Sequence, residues 1–128
     1  GGGGGRSARA PALPSLRWEQ PDCSGTLPPR RANHSSAVLG SQLFIFGGWT
    51  GRRRLNDMHC LSTTTMTWAR VVTEGGAAPP HARAGMTLTA VRGRLLVFGG
   101  SGTGLRCFND VHVFEPSQRA RGREGRAG

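Results

Sequence analysis

One six-residue run, present twice, constrains this chain more than any other feature. Leu-Phe-Ile-Phe-Gly-Gly at 43–48 and Leu-Leu-Val-Phe-Gly-Gly at 95–100 stand 52 residues apart. Three further pairs keep nearly the same spacing: Arg31-Ala32 with Arg83-Ala84, Pro28-Pro29 with Pro79-Pro80, and Asn56-Asp57 with Asn109-Asp110. Trp18 and Trp68 precede the two proline pairs by ten and eleven residues. A period near 50 shared by independent anchors marks a repeat architecture, in which each unit buries its apolar face only against a neighbouring unit.

Within a unit the pattern is β. Residues 34–39 and 42–46 read as short strands joined at Gly40-Ser41, and 86–91 with 94–98 repeat them around Arg92-Gly93. The apolar run before each Gly-Gly is too continuous for a strand with one wet face, so it is expected to be buried on both sides. Gly47, Gly48, Gly99 and Gly100 then supply either a sharp reversal or a close backbone approach that a Cβ would block. A third strand is expected at 56–61 and a fourth at about 66–72, carrying Trp68. Thr73 to Ala82 is a Gly/Pro-rich connector, and no stretch carries sustained helical periodicity.

Four short antiparallel strands per unit, Phe-Gly-Gly, Asn-Asp-x-His at 56–59 and 109–112, and a distal Trp together resemble the kelch repeat, one blade of a β-propeller. The resemblance runs from Trp18 to about Pro116, and its spelling is similar to the host cell factor, Rab-effector and kelch-domain ubiquitin-ligase-receptor kind. It implies an all-β chain of incomplete propeller blades, about two of them. Residues 1–17 are then a low-complexity Gly/Arg/Ala segment, 18–27 the last strand of a preceding blade and a connector, and 28–78 a kelch repeat. Residues 79–116 form a partial repeat and 117–128 a low-complexity Arg/Gly tail, with Arg121 where a second Trp is due. A closed propeller takes about 4–8 blades, so the expectation is a fragment or truncated form of a longer protein. Its open edges would meet the remaining blades of that parent or another copy.

The net charge of +10 divides unevenly. Residues 18–116 hold 10 Arg against 6 acids, so more than half of the excess lies in the two ends. All 17 basic residues are Arg and neither Lys nor Tyr occurs, the bias of a GC-rich coding sequence. Nucleic acid is therefore not the favoured partner, although an Arg-rich nucleic-acid binder is one alternative. No apolar run approaches the ~18 residues of a membrane span, so no membrane partner is expected. Cys23, Cys60 and Cys107 contain no C-x-x-C pair, which fits reduced thiols in the cytoplasm or nucleus.

Neither catalysis nor a cofactor or metal is expected. His59 and His112 occupy equivalent places in successive units and are poor candidates for a shared metal, so packing or hydrogen bonding is their ordinary role, as it is for His34 and His81. Asp57 and Asp110 are expected to hold the preceding loop through side-chain to backbone hydrogen bonds. The glycines at 99–104 lack the third glycine and following helix of a phosphate loop, since Leu105 and then a strand come next. Copper-radical oxidases with kelch-like blades need tyrosines, which this chain lacks. What remains is the loop after each Gly-Gly. Trp49, Arg52, Arg53 and Arg54 in one unit and Arg106 in the next are the expected partner-binding residues, because Trp and Arg dominate interface hot spots and Arg captures carboxylates in a bidentate fork. The resemblance implies a protein partner recruited by the propeller, as by a ubiquitin-ligase substrate adaptor or a trafficking effector; the alternative is the non-catalytic kelch part of a fused enzyme.

Overall fold

Residues 1–116 are described by a computed structural model. The tail at 117–128, with Arg121, lies outside the described residues. Eight strands follow in order: β1 (Ser24–Gly25), β2 (Ser35–Leu39), β3 (Gln42–Trp49), β4 (Arg54–Ser62), β5 (Thr67–Arg70), β6 (Thr87–Val91), β7 (Arg94–Phe98) and β8 (Val111–Phe114). The fold is all-β, with one short 3₁₀ turn at Glu74–Gly76 in the connector. No helix among the described residues is long and apolar enough to cross a membrane.

The first sheet has the order β1-β5-β4-β3-β2 and the second β6-β7-β8. All pairings are antiparallel except β1 on β5. Two-residue alternation along paired strands sorts side chains onto two faces. In the first sheet Ala37, Phe44 and Cys60 share one face with Phe46 and Met58, here called the back; Val38, Leu43, Leu61 and Trp68 share the front with Ile45 and His59. In the second sheet Leu88, Val97 and His112 lie in front with Leu95 and Phe114, while Phe98, Val111, Leu96 and Val113 lie behind.

The back of the first sheet packs on the front of the second. Phe44, Phe46, Met86, Leu88, Leu95 and Val97 form the shared core, and the Phe44 and Phe114 rings stand 5.9 Å apart. Each such side chain contributes ~1.5–3 kcal/mol by leaving water. Backbone bonds stitch the sheets together at one end. Gly85 N–H donates to the Asn33 carbonyl at 2.9 Å, Gly48 N–H to Arg83 at 2.9 Å and Arg83 N–H to Leu55 at 3.0 Å. The Ser35 hydroxyl donates to the Met86 carbonyl. Burial on both faces before the first Gly-Gly is as expected: Phe44, Ile45 and Phe46 are all buried, although they point alternately to the two faces.

Two elements differ from the expectation. β3 does not stop at Phe46 but continues through both glycines to Trp49, with a bulge between Phe46 and Gly48 absorbing the irregularity. The glycines serve close approach: a Cβ on Gly48 would sit 2.7 Å from the Ala32 carbonyl, and one on Gly47 2.5 Å from the Met86 methyl. The strand expected at Trp18 does not form. Trp18 is 97% exposed, and residues 1–23 hold no strand. The chain enters a sheet only at Ser24–Gly25, which adds to the outer edge of the following blade beside Thr67 and Trp68.

Candidate partner-binding site

Each repeat carries the same internal lock. Arg31 is almost wholly buried and divides its guanidinium among four acceptors. Nε donates to the Pro29 carbonyl at 3.1 Å and Nη1 to Gly47 at 3.1 Å; Nη1 and Nη2 grip Asp57 at 2.6 and 2.9 Å. His59 Nε2 reaches the same carboxylate at 2.9 Å. The second repeat copies this with Arg83 on the carbonyls of His81 and Gly99 and on Asp110 at 2.5 and 2.9 Å, with His112 at 2.8 Å. Arg83 also lies 4.0 Å over the Phe108 ring. The fork ties three chain segments at once: the repeat's entry, the Gly-Gly carbonyl and the start of the third strand.

The carboxyls titrate accordingly. Burial pushes Asp57 up, but the hydrogen bonds and charges of Arg31 and His59 outweigh it and hold it at about 2, below the ordinary 3.8. Bonds from Arg83 and then His112 hold Asp110 well below the carboxylate range, against a smaller upward push from burial. The role expected of the aspartates is thereby corrected. Their partners are an arginine 26 or 27 residues earlier and a histidine two residues later, not the backbone of the preceding loop. Arg31 and Arg83 were visible only as repeat anchors, since nothing local says that a buried cation faces either aspartate. Burial alone pushes the Cys60 thiol up, and Cys23, Cys60 and Cys107 are all free.

The segment after Gly48 is a tight hairpin end rather than a long loop. Trp49 closes β3, Arg54 opens β4, and the two are cross-strand partners. Between them Thr50 N–H donates to the Arg53 carbonyl at 3.0 Å, and the Thr50 hydroxyl oxygen accepts from the N–H groups of Arg52 and Arg53 at 3.3 and 3.2 Å. Gly51, at φ +96°, turns the chain. Arg52 and Arg53 project into solvent at the tip. Arg54 is half-buried, its guanidinium 5.3 Å from the Trp49 ring, and its Nε is buried with no hydrogen-bond partner.

Beside this pair lies a cavity of about 230 Å³ between the repeats, lined by Asn33, Trp49, Arg54, Ala84, Gly85 and Ser101. Trp49 and Arg54 thus come together on its wall, while Arg52 and Arg53 stand outside. Arg106 is not brought in, because it packs 4.9 Å from the Phe108 ring of its own repeat. The second repeat contributes Ser101, which bridges to Ala84 as Trp49 bridges to Ala32. Asn33 and Gly85 escaped sequence reasoning, yet a signal existed. They are repeat-equivalent, and both types tolerate the positive φ, 55° and 70°, that the strand entry imposes. Among the described residues no group of three or more His, Cys, Asp or Glu could hold a metal ion.

Two small sheets, antiparallel but for the short β1 strand and stacked face to face, each fastened by its own Arg–Asp–His lock, are successive blades of a β-propeller. The chain belongs to the kelch-repeat proteins: residues 11–122 match the KLHDC2/KLHL20/DRC7 Kelch-repeats domain. Kelch domain-containing protein 1 of Mus musculus is 42% identical over 85 residues, covering 65% of this chain and 21% of that protein. Kelch domain-containing protein 3 of Bos taurus is 40% identical over 86 residues, 66% of this chain and 22% of that protein. The Rho GTPase-activating protein gacHH of Dictyostelium discoideum is 39% identical over 95 residues, 70% of this chain and 6% of that protein. The chain thus spans about a fifth or less of the relatives it matches.

Proposed function

We propose that this chain is a non-catalytic, protein-recruiting part of a larger kelch propeller, and that the Trp49–Arg54 hairpin end with the adjoining cavity receives a carboxylate-bearing segment of the partner. The placing of Arg54 against the Trp49 ring on the wall of that cavity carries the reading. A guanidinium offers a planar carboxylate paired charge-assisted bonds, and the neighbouring aromatic face supplies apolar contact. Trp49 supplies an apolar wall, Asn33 and Ser101 supply polar groups, and the exposed Arg52 and Arg53 add attraction for an acidic peptide or a free chain terminus. Three free thiols fit a cytoplasmic or nuclear setting.

Replacing Arg52, Arg53 and Arg54 together with Ala in the full-length protein tests this. Capture of partners should be lost while melting changes little. Recovery of the same partners at the same yield would remove the hairpin end as the site. A second reading, the kelch part of a fused enzyme, is favoured by gacHH and by a probable serine/threonine-protein kinase of Dictyostelium discoideum, 35% identical over 89 residues that make up 7% of its length. The reading frame around this segment separates the two.

A further inference from the structure

The hairpin end at 49–54 has a hydroxyl built into its rim. Thr50 is exposed, and its Oγ is the point on which the N–H groups of Arg52 and Arg53 converge, at 3.3 and 3.2 Å. The hydroxyl's own bond, to the Arg53 carbonyl, is long at 3.3 Å, and the turn stays closed by the Thr50 N–H on that same carbonyl at 3.0 Å. Replacing the hydroxyl proton therefore costs the turn little. Around this oxygen stand three arginines and no acid. No Asp or Glu lies between Asp22 and Asp57, and Asp57 is already held by Arg31 and His59. Among the described residues Arg52, Arg53 and Arg54 enter no ion pair. The exposed turn at Thr63 to Thr65 is richer in hydroxyls but has no arginine within four residues. In the second repeat Thr103 has only Arg106 within that reach, and Arg106 is packed on Phe108.

We propose that Thr50 is a phosphorylation site, and that its phosphate closes the partner site by taking the arginines a carboxylate would otherwise meet. This rests on the carboxylate reading of the hairpin end and adds its regulation. A protein kinase that selects acceptors beside arginine transfers the γ-phosphoryl group of ATP. The bond from Thr50 Oγ to phosphorus forms, the bond from γ-phosphorus to the β,γ-bridging oxygen breaks, ADP leaves, and the hydroxyl proton passes to the kinase's catalytic carboxylate. The product carries a charge of about −1.5 to −2 at pH 7 and three strong acceptor oxygens. Its ester oxygen keeps the place facing the two N–H groups, and the terminal oxygens extend toward guanidinium forks two, three and four residues along the chain. An acidic segment thereby loses both its bidentate partner and most of its attraction.

Treatment of the protein with ATP and such a kinase, followed by peptide mapping, should place phosphate on Thr50. Ser7 and Ser15 also stand near arginines, so Thr50→Val, which keeps the shape and removes the acceptor, is treated in parallel. Phosphorus NMR then titrates the phosphothreonine. Held by the arginines, its second ionisation should fall from about 6 to about 5. In the triple-arginine variant, given its phosphothreonine by translational incorporation, it should stay at about 6. Hexaglutamate is the probe for the site: phosphorylation should weaken its binding about tenfold in the wild type and change that of Thr50→Val little. No phosphate on Thr50, an ionisation that stays at about 6 in the wild type, or hexaglutamate binding unaltered by the modification would each overturn the proposal. Equal binding of hexaglutamate to the unmodified wild type and the triple-arginine variant would remove the carboxylate reading, and the regulatory role with it. Mapping and phosphorus titration would still decide whether Thr50 is modified and its phosphate held.

Discussion

Asp57→Ala isolates the lock on which each blade depends. The substitution removes both oxygens that Arg31 grips at 2.6 and 2.9 Å and the one that His59 reaches at 2.9 Å. It leaves a guanidinium that is 3% exposed with no counter-charge. Breaking a buried pair from one side costs about 3–5 kcal/mol. Two of the arginine's bonds, to the Pro29 and Gly47 carbonyls, survive, so the lower end applies: about 3 kcal/mol. For a chain of this size that is a fall in melting temperature on the order of 10–20 °C. Urea unfolding followed by tryptophan fluorescence measures it directly. Arg31→Met in the same chain should recover part of the loss, since an apolar side chain of similar length leaves no buried charge. If Asp57→Ala costs under about 1 kcal/mol, or Arg31→Met adds to it in full, the lock is ornamental and the argument fails.

With the Asp57 carboxyl held at about 2 in the folded chain against 3.8 in the open one, its ionised form is favoured by folding. That stability is complete above about pH 4 and is lost as pH falls through about 2, so the urea midpoint should drop across this window and Asp57→Asn should flatten the drop. Gly48→Ala and Gly51→Ala both place an alanine at positive φ, +109° and +96°. Only at Gly48 does the new methyl also strike a backbone carbonyl, at 2.7 Å, whereas Gly51 faces open space. The expected costs are about 3 and about 1 kcal/mol, and equal unfolding midpoints would show that the approach of Ala32 is slack.

Much of the fold was legible because its signals are local. The Gly-Gly after an apolar run, the turn residues at Gly40 and Gly93 and the Asn-Asp-x-His of each repeat are short-range patterns, and they fall on β3 and β7, on the hairpin turns and at the starts of the third strands. Trp18 shows where local reading stops. The same residue type that lies on the sheet as Trp68 is exposed at 18, because a strand forms only where another offers its hydrogen bonds. The candidate site was half legible. Trp49 and Arg54 are neighbours across a hairpin that the sequence brackets, but nothing local separates Arg54, turned onto a cavity, from Arg106, turned onto Phe108.

The sequence by itself determined the repeat, its all-β character and its kinship with kelch blades, since periodicity and turn chemistry follow from backbone geometry over a few residues. Only the tertiary structure decided that Arg31 pairs with Asp57 and Arg83 with Asp110, that Asn33, Gly85 and Ser101 share a cavity with Trp49, and which face of each sheet is covered. Those outcomes depend on strand register and on one sheet stacking on another. Both bring together residues up to about 50 apart in the chain, and the free energy of such a meeting is set by burial and pairing that no single segment contains.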